Sequence, residues 1–290
     1  MSFTKAAAEL CVTRGAVSRQ VGLLEAWLGT SLFRRSLSQL MLTEAGNTYL
    51  AAVTSALDRI SVASTQLLEH AAPKALWVSA PPTFLMRWLI PRMSGFQRRH
   101  TDVEIKLTTL IGPVDFQENG YDVAIRGALE PSPHCCSVPF MTETIVPVCH
   151  VDLLEGGRLG SPQDLAAQTL ISYGTEVLPW SDWLKAAGMP DLRPAGVLKF
   201  DQLYFALQAA AEGLGVVLAP LFLVADDIAQ GHLCAPFGTL AALRRVFFAN
   251  YSANRKDLSV IRSLCDWLVR EGRDTEQAIA AWADSKGWKL

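Results

Sequence analysis

The chain opens on apolar positions at helical spacing. In "SFTKAAAEL" (2–10), Phe3, Ala6, Ala7 and Leu10 share one face, which predicts a short helix. "CVT" (11–13) reads as a tight turn, with Thr13 placed to cap the next helix by accepting from backbone N–H groups two or three residues on. That second helix carries Val17, Val21, Leu24 and Leu28 at spacings of 4, 3 and 4, a continuous stripe expected to be buried, while Arg14, Gly15, Ser18 and Arg19 lie on the opposite side. Gly29 stands where a helix ends on a left-handed residue. "SLFRRSLSQLMLTEAG" (31–46) reads as a small hairpin, with Phe33 packed under the helices, Arg34 and Arg35 facing out, and "MLT" as the second strand. From Glu44 to Ala71 there is no proline, and Tyr49, Val53, Ala56, Ile60, Ala63 and Leu67 recur at heptad spacing, which predicts a long helix with a seam for a second copy or for its own domain. "APK" (72–74) breaks it.

Beyond residue 74 the period changes. "ALWVS" (75–79), "VEIKLTTL" (103–110), "YDVAIRG" (121–127), "TIVPVCH" (144–150), "TLISYG" (169–174), "GVLKF" (196–200), "VVLAP" (216–220), "HLCAPF" (232–237) and "RRVFFANYS" (244–252) read as strands alternating with helices. Pro91 should kink or break the helical stretch "PTFLMRWLIPRMSGFQRRH" (82–100). "DLSVIRSLCDWLVREG" (257–272) reads as a closing amphipathic helix, and the tail 274–290 as a short further helix packing Trp282 on the body. Repeated strand–helix alternation predicts an α/β body of mostly parallel sheets, with enough strands for two Rossmann-like lobes.

Length and charge sharpen this picture. At 290 residues more than one domain is expected. The formal net charge of −2 argues against a general nucleic-acid binder, but residues 1–40 carry five basic and two acidic side chains, a local +3. Two short helices round a turn, the second presenting small polar and basic residues, suit the major groove: small side chains admit base edges, and arginine and serine bond to bases or phosphates. Arg34 and Arg35 either meet phosphates or form an ordinary solvated pair. No apolar run is long enough to span a bilayer and no secretory leader is visible, so a cytoplasmic protein without a membrane partner is expected.

The six cysteines form no CxxC pair and do not cluster with the five histidines, so no metal site is expected. The vicinal Cys135–Cys136 reads as a redox or metal feature or as two ordinary thiols. "GLGV" (213–216) follows a helix and precedes a strand, the reverse of a dinucleotide loop. No nucleophile elbow, phosphate loop, HExxH or paired-carboxylate motif appears, so no enzyme and no cofactor is expected.

The ordered set "SFTKAAAEL…VSRQV…LE…LG…LFRR…LTEAG" resembles the DNA-binding domain of the LysR-type transcriptional regulators across residues 2–46. "RWLIPRMSGFQRRHTDVEI", "YDVAIRG", "AAAEGLGVVLAP" and "DWL" resemble their second domain, with the glycine-cleavage-activator and β-lactamase-activator branches most similar. The resemblance implies a winged helix-turn-helix over 1–43, a linker and dimerisation helix over 44–72, and an effector-binding domain over 73–290 built as in periplasmic solute-binding proteins. Lobe I would span about 73–146 and 250–272, and lobe II about 147–249, with crossing strands near Val146–His150 and Val246–Tyr251. It implies DNA contacts from Thr13, Arg14, Gly15, Ser18, Arg19, Arg34 and Arg35, and effector contacts from Thr83, Phe84, Thr108, Thr109, Asp201, Gln202, Leu203 and Tyr251. Arg126 would pair with an anionic effector or with Asp122. The partners implied are double-stranded promoter DNA, a small-molecule effector, further copies of the chain as dimer or tetramer, and RNA polymerase.

Three departures stand out. Family members carry a further helix before the "SFT" position, where Met1 stands here; Leu37 and Ser38 replace basic wing residues; and Gly22 replaces a basic residue. These leave open an upstream start, a shortened relative, and an effector-binding protein of the same fold that no longer binds DNA. An enzyme on a solute-binding fold is the third reading, and it lacks a catalytic constellation.

Overall fold

The computed structural model describes residues 2–36, 39–69, 75–109, 114–116, 120–157, 159–255 and 258–290. The chain divides into two compact units, Met1–Leu68 and Glu69–Leu290.

In the first unit, α1 (Phe3–Glu9) and α2 (Arg14–Leu28) flank a turn in which Cys11 takes a left-handed φ of 54°. Thr13 Oγ1 accepts from the Ala16 N–H at 3.2 Å, capping α2 as its position predicts, and Gly29 closes it at φ 65°. Strands β1 (Phe33–Ser36) and β2 (Gln39–Leu42) pair antiparallel, Phe33 opposite Leu42 and Arg34 opposite Met41. Leu37 and Ser38 lie outside the described residues. Phe33 meets Phe3 edge to face at 5.3 Å, which ties the hairpin to α1.

Helix α3 (Glu44–Glu69) follows. Its entry is built by Thr43, which donates to the Ser31 carbonyl and accepts from the Gly46 N–H at 2.9 Å. The apolar stripe of α2 is half-buried rather than sealed: Val17, Val21, Leu24 and Leu28 are all of intermediate exposure, while Ala7 and Leu32 are the buried apolar side chains of the unit among the described residues. One seven-residue helix is too short to cover a fifteen-residue partner. On α3, Tyr49 and Val53 are half-buried and Ile60 is exposed, as are Leu50 and Leu57; the side chains of Ala63 and Leu67 lie outside the described residues.

The second unit carries one continuous mixed sheet. Its elements are β3 (Ala75–Ser79), α4 (Pro82–Phe84), α5 (Ile90–Gln97), β4 (Glu104–Thr108), β5 (Val123–Ala128), β6 (Cys136–His150), β7 (Thr169–Tyr173), α6 (Trp180–Ala186), β8 (Gly196–Phe200), α7 (Leu203–Ala211), β9 (Val216–Pro220), α8 (Leu221–Ala229), β10 (Leu233–Cys234), β11 (Leu243–Tyr251) and α9 (Ser259–Ser285). The strand order is β4-β3-β5-β11-β6-β9-β7-β8, with β10 on β6. Strands β3, β4 and β5 run parallel in lobe I, and β7, β8 and β9 parallel in lobe II. The long strands β6 and β11 pair antiparallel with each other and belong to both lobes.

The passage between lobes lies earlier on β6 than expected. From Ile145 on, β6 already pairs with β9 in lobe II, while β11 joins β5 in lobe I from Val246. The first half of β6 was hidden in the sequence by Pro139, which interrupts a strand pattern and here sits beside a register shift opposite Phe247 and Phe248. Pro91 falls at the second residue of α5, just after a π-type turn over Leu85–Leu89, so the helical stretch is wound loosely rather than broken.

The closing helix and the tail are one element. Gly272, which reads as a terminator, lies mid-helix because a Cβ there would fall 1.9 Å from the Phe140 carbonyl oxygen. Past it, Thr275 Oγ1 accepts from the Trp88 indole N–H at 2.9 Å, Glu276 accepts from the Thr142 N–H at 2.6 Å, and Trp282 meets Trp288 at 5.3 Å.

Candidate functional site

Two sites can be built, one in each unit. In the first, the exposed side of α2 presents Arg14, Gly15, Ser18 and Arg19, with Thr13 exposed at the cap. A Cβ at Gly15 would touch nothing within 4 Å, so internal packing does not demand the glycine; its effect is to leave the helix surface low where a ligand backbone could approach. Arg34 is exposed on β1; the Arg35 side chain lies outside the described residues. Among the described residues no ion pair engages Arg14, Arg19 or Arg34, so their charges are free to meet phosphates. Glu25 is a residue that sequence reasoning passed over. Its carboxylate accepts from the Leu32 and Phe33 N–H groups at 2.7 and 2.9 Å, holding the hairpin against α2. Its signal was a carboxylate standing beside the apolar stripe of a basic helix.

The second site is a cleft of about 540 Å³ between the lobes of the second unit. Thr83 and Phe84 line it from α4, and Gln202 and Leu203 from the start of α7. Phe84 stacks on Phe247 at 4.8 Å and on Trp88 at 4.9 Å, giving the cleft an aromatic floor.

Four other expected positions do not line the cleft. Thr108 ends the edge strand β4, where its carbonyl accepts from the Ala80 N–H, and Thr109 beyond it is exposed. Asp201 is exposed, its backbone set against Gly174. Tyr251 lies at the far end of β11, and its phenol faces Cys136, Cys265 and Arg262, the side covered by α9. β11 meets the cleft earlier along its length, through Arg245, Phe247, Phe248 and Asn250.

Of the charged lining, Arg126 was raised by the sequence, whereas Glu143 and Arg245 were not anticipated. Glu143 on β6 and Arg245 on β11 are directly opposed and ion-paired, with side chains 0% and 11% exposed. Burial pushes the Arg245 guanidinium down to about 10. The guanidinium lies against Gly127, where a Cβ would fall 2.8 Å from its Nε. Arg126, also in the lining, donates to the Ser79 carbonyl at 3.1 Å and to Ser79 Oγ at 3.0 Å, and burial lowers it. Asp122, expected as one partner for Arg126, instead pairs with Arg255 and accepts from the Trp77 N–H. The signal for Glu143 and Arg245 was present: each is a charge inside an apolar strand, in "TETIV" and "RRVFF".

No described helix is long and apolar enough to cross a membrane. Gly213 and Gly215, at φ 75° and 154°, form the turn from α7 into β9, and Gly215 passes close under the Thr169 carbonyl.

Residues 1–47 match the bacterial regulatory helix-turn-helix model of the lysR family, and residues 73–273 match the LysR substrate binding domain model. The HTH-type transcriptional activator AmpR of Rhodobacter capsulatus is 32% identical over 94% of this chain and 93% of its own. The glycine cleavage system transcriptional activator of Escherichia coli K12 is 31% identical over 93% of this chain and 88% of its own. Among solved structures, the LysR-type regulator CrgA of Neisseria meningitidis aligns with a TM-score of 0.59 at 26% identity, covering 93% of both chains. The effector domain of AmpR from Pseudomonas aeruginosa aligns with a TM-score of 0.62 at 27% identity, covering 71% of this chain and 99% of that one. The chain therefore belongs to the LysR family of transcriptional regulators, with a DNA-binding helix-turn-helix domain followed by an effector-binding domain.

Proposed function

We propose that α2 reads promoter DNA through Thr13, Arg14, Gly15, Ser18 and Arg19, with Arg34 and Arg35 on the flanking phosphates, and that a small effector in the interlobe cleft biases how the protein sits on that DNA. The observation that carries the first part is the exposed basic face of α2, whose arginines meet no ion-pair partner among the described residues, beside a hairpin clamped by Glu25. Supporting the second is a cleft of about 540 Å³, within the size range of small-ligand sites, lined by Thr83, Phe84, Gln202 and Leu203. The exposed Leu50, Leu57 and Ile60 on α3 suit a second copy of the chain, giving a dimer whose two readers match two half-sites, or a tetramer built of two such dimers. Two relatives are named transcriptional activators, and contact with RNA polymerase is the partner such a role would add.

An effector shifts an equilibrium only by its differential affinity for the two states, so the cleft must fit its ligand better in one arrangement on DNA than in the other. The test is recovery of bound sites from fragmented genomic DNA. The expected result is an enriched two-fold-symmetric motif whose half-sites are a whole number of helical turns apart. Recovery of DNA with no shared motif would leave the effector-binding reading alone, without DNA recognition.

A further inference from the structure

The ion pair in the cleft wall points to a class of ligand. We propose that the Glu143–Arg245 pair is a recognition element for a zwitterion, an α-amino acid with a large apolar side chain. This rests on the cleft being the effector site. Three observations converge. Glu143 is 1% exposed, and among the described residues its Oε2 has no hydrogen-bond partner although Oε1 takes the Arg245 guanidinium. A buried carboxylate oxygen left unpaired is costly unless a donor arrives. Arg245 is held to Glu143 through Nε, so its terminal nitrogens are not consumed by that bond, and Gly127 leaves the guanidinium room that any side chain would take. Next to the pair lies an apolar surface: the Arg245 guanidinium is 5.9 Å from the Phe247 ring, which stacks on Phe84.

Charge decides among ligand types. The pair is neutral as a whole. A simple carboxylate on Arg245 would bring its charge beside the unpaired Glu143 oxygen. A simple amine on Glu143 would bring its charge beside Arg245. A carboxylate and an ammonium on one carbon satisfy both at once and close a four-charge ring, while the side chain lies on Phe84 and Phe247. A buried ion pair adds little stability over an apolar pair of the same volume, so ligand recognition accounts for its place in the wall of an apolar cleft.

The experiment is calorimetric titration of the full chain with L-phenylalanine, with phenylpropionate, which lacks the ammonium, and with phenethylamine, which lacks the carboxylate. The remaining common amino acids, organic acids, sugars and nucleotides are screened by thermal shift. The amino acid should bind at least about tenfold more tightly than either truncated analogue, the order expected for one charge-assisted bond. Glu143→Gln should abolish that advantage from both sides, weakening phenylalanine and tightening phenylpropionate, whose carboxylate no longer meets the Glu143 charge. Gly127→Ala, which displaces the guanidinium without removing a charge, should weaken phenylalanine and phenylpropionate alike. Phenylpropionate binding as tightly as phenylalanine overturns the proposal, as does the absence of binding by every amino acid at about 10 mM. Gln202→Trp, which fills the cleft mouth, separates the two readings. Ligands of another class that lose binding in this variant sink the zwitterion and keep the cleft as effector site. Ligands that bind it unchanged sink the cleft reading itself.

Discussion

A Cβ added at Gly46 would lie 2.1 Å from the Leu32 carbonyl oxygen, the same oxygen that accepts from the Thr43 N–H. Gly46→Ala therefore forces α3 away from the hairpin. It should destabilise the first unit by about 1–3 kcal/mol, read as faster proteolysis within residues 1–68 while the second unit stays intact. Glu25→Ala removes two hydrogen bonds of 2.7 and 2.9 Å from the hairpin, and the loss expected is about 1–3 kcal/mol, with amide exchange rising at Leu32 and Phe33. Arg19→Ala should weaken binding to the cognate site by about 1–3 kcal/mol if the side chain reaches a base, and unaltered affinity would remove it from the interface.

Cysteine ionisation gives a pH dependence with a fixed sign. Burial lifts the Cys265 thiol to about 12 and pushes the Tyr173 phenol up as well. Between about 8.5 and 12 the unfolded chain has released the cysteine proton while the folded chain keeps it. The folded state then binds more protons, so stability is full below about pH 8.5 and falls as pH rises through that window. The Cys265 share is roughly 1–2 kcal/mol by pH 10. The melting temperature should drop over pH 8–10, and less steeply in Cys265→Ala.

At the scale of elements, legibility followed the strength of local signals. Thr13 and Gly29 mark both ends of α2 by cap chemistry that depends on no distant contact, and both ends stand where those residues predict. "ALWVS" and "GVLKF" coincide with β3 and β8 to the residue. The failures are places where tertiary contact overrides a local rule. Pro139 hid half of β6, and Gly272 hid the continuity of α9, because the reason for each lies on another strand or helix. The tail packs through α9: Thr275 answers the Trp88 indole, Trp288 covers Gly238, and the Lys289 carbonyl accepts from Thr239 at 2.8 Å. Truncation after Arg273 strips these contacts and should cost about 2–4 kcal/mol, lowering the melting temperature. An unchanged melting curve would make the tail an appendage.

At the scale of the whole molecule, the change of hydrophobic period near residue 74 falls close to the boundary at residues 68 and 69 between the two compact units, while the DNA-binding and effector-binding roles were legible chiefly through the resemblance to the LysR family. The cleft itself was legible only in part. Thr83, Phe84, Gln202 and Leu203 sit at helix starts that a strand–helix alternation places at the cleft rim. Glu143 and Arg245 come together across two strands whose pairing no local pattern encodes.

The most direct test of the account is the affinity of the full chain for its recovered genomic site against a shuffled duplex of equal length, measured by fluorescence anisotropy at physiological salt. A preference of about a thousandfold or more is expected of a base-reading protein, with Arg19→Ala lowering affinity for the site more than for the shuffled duplex. Equal affinity for both duplexes would contradict DNA recognition by α2.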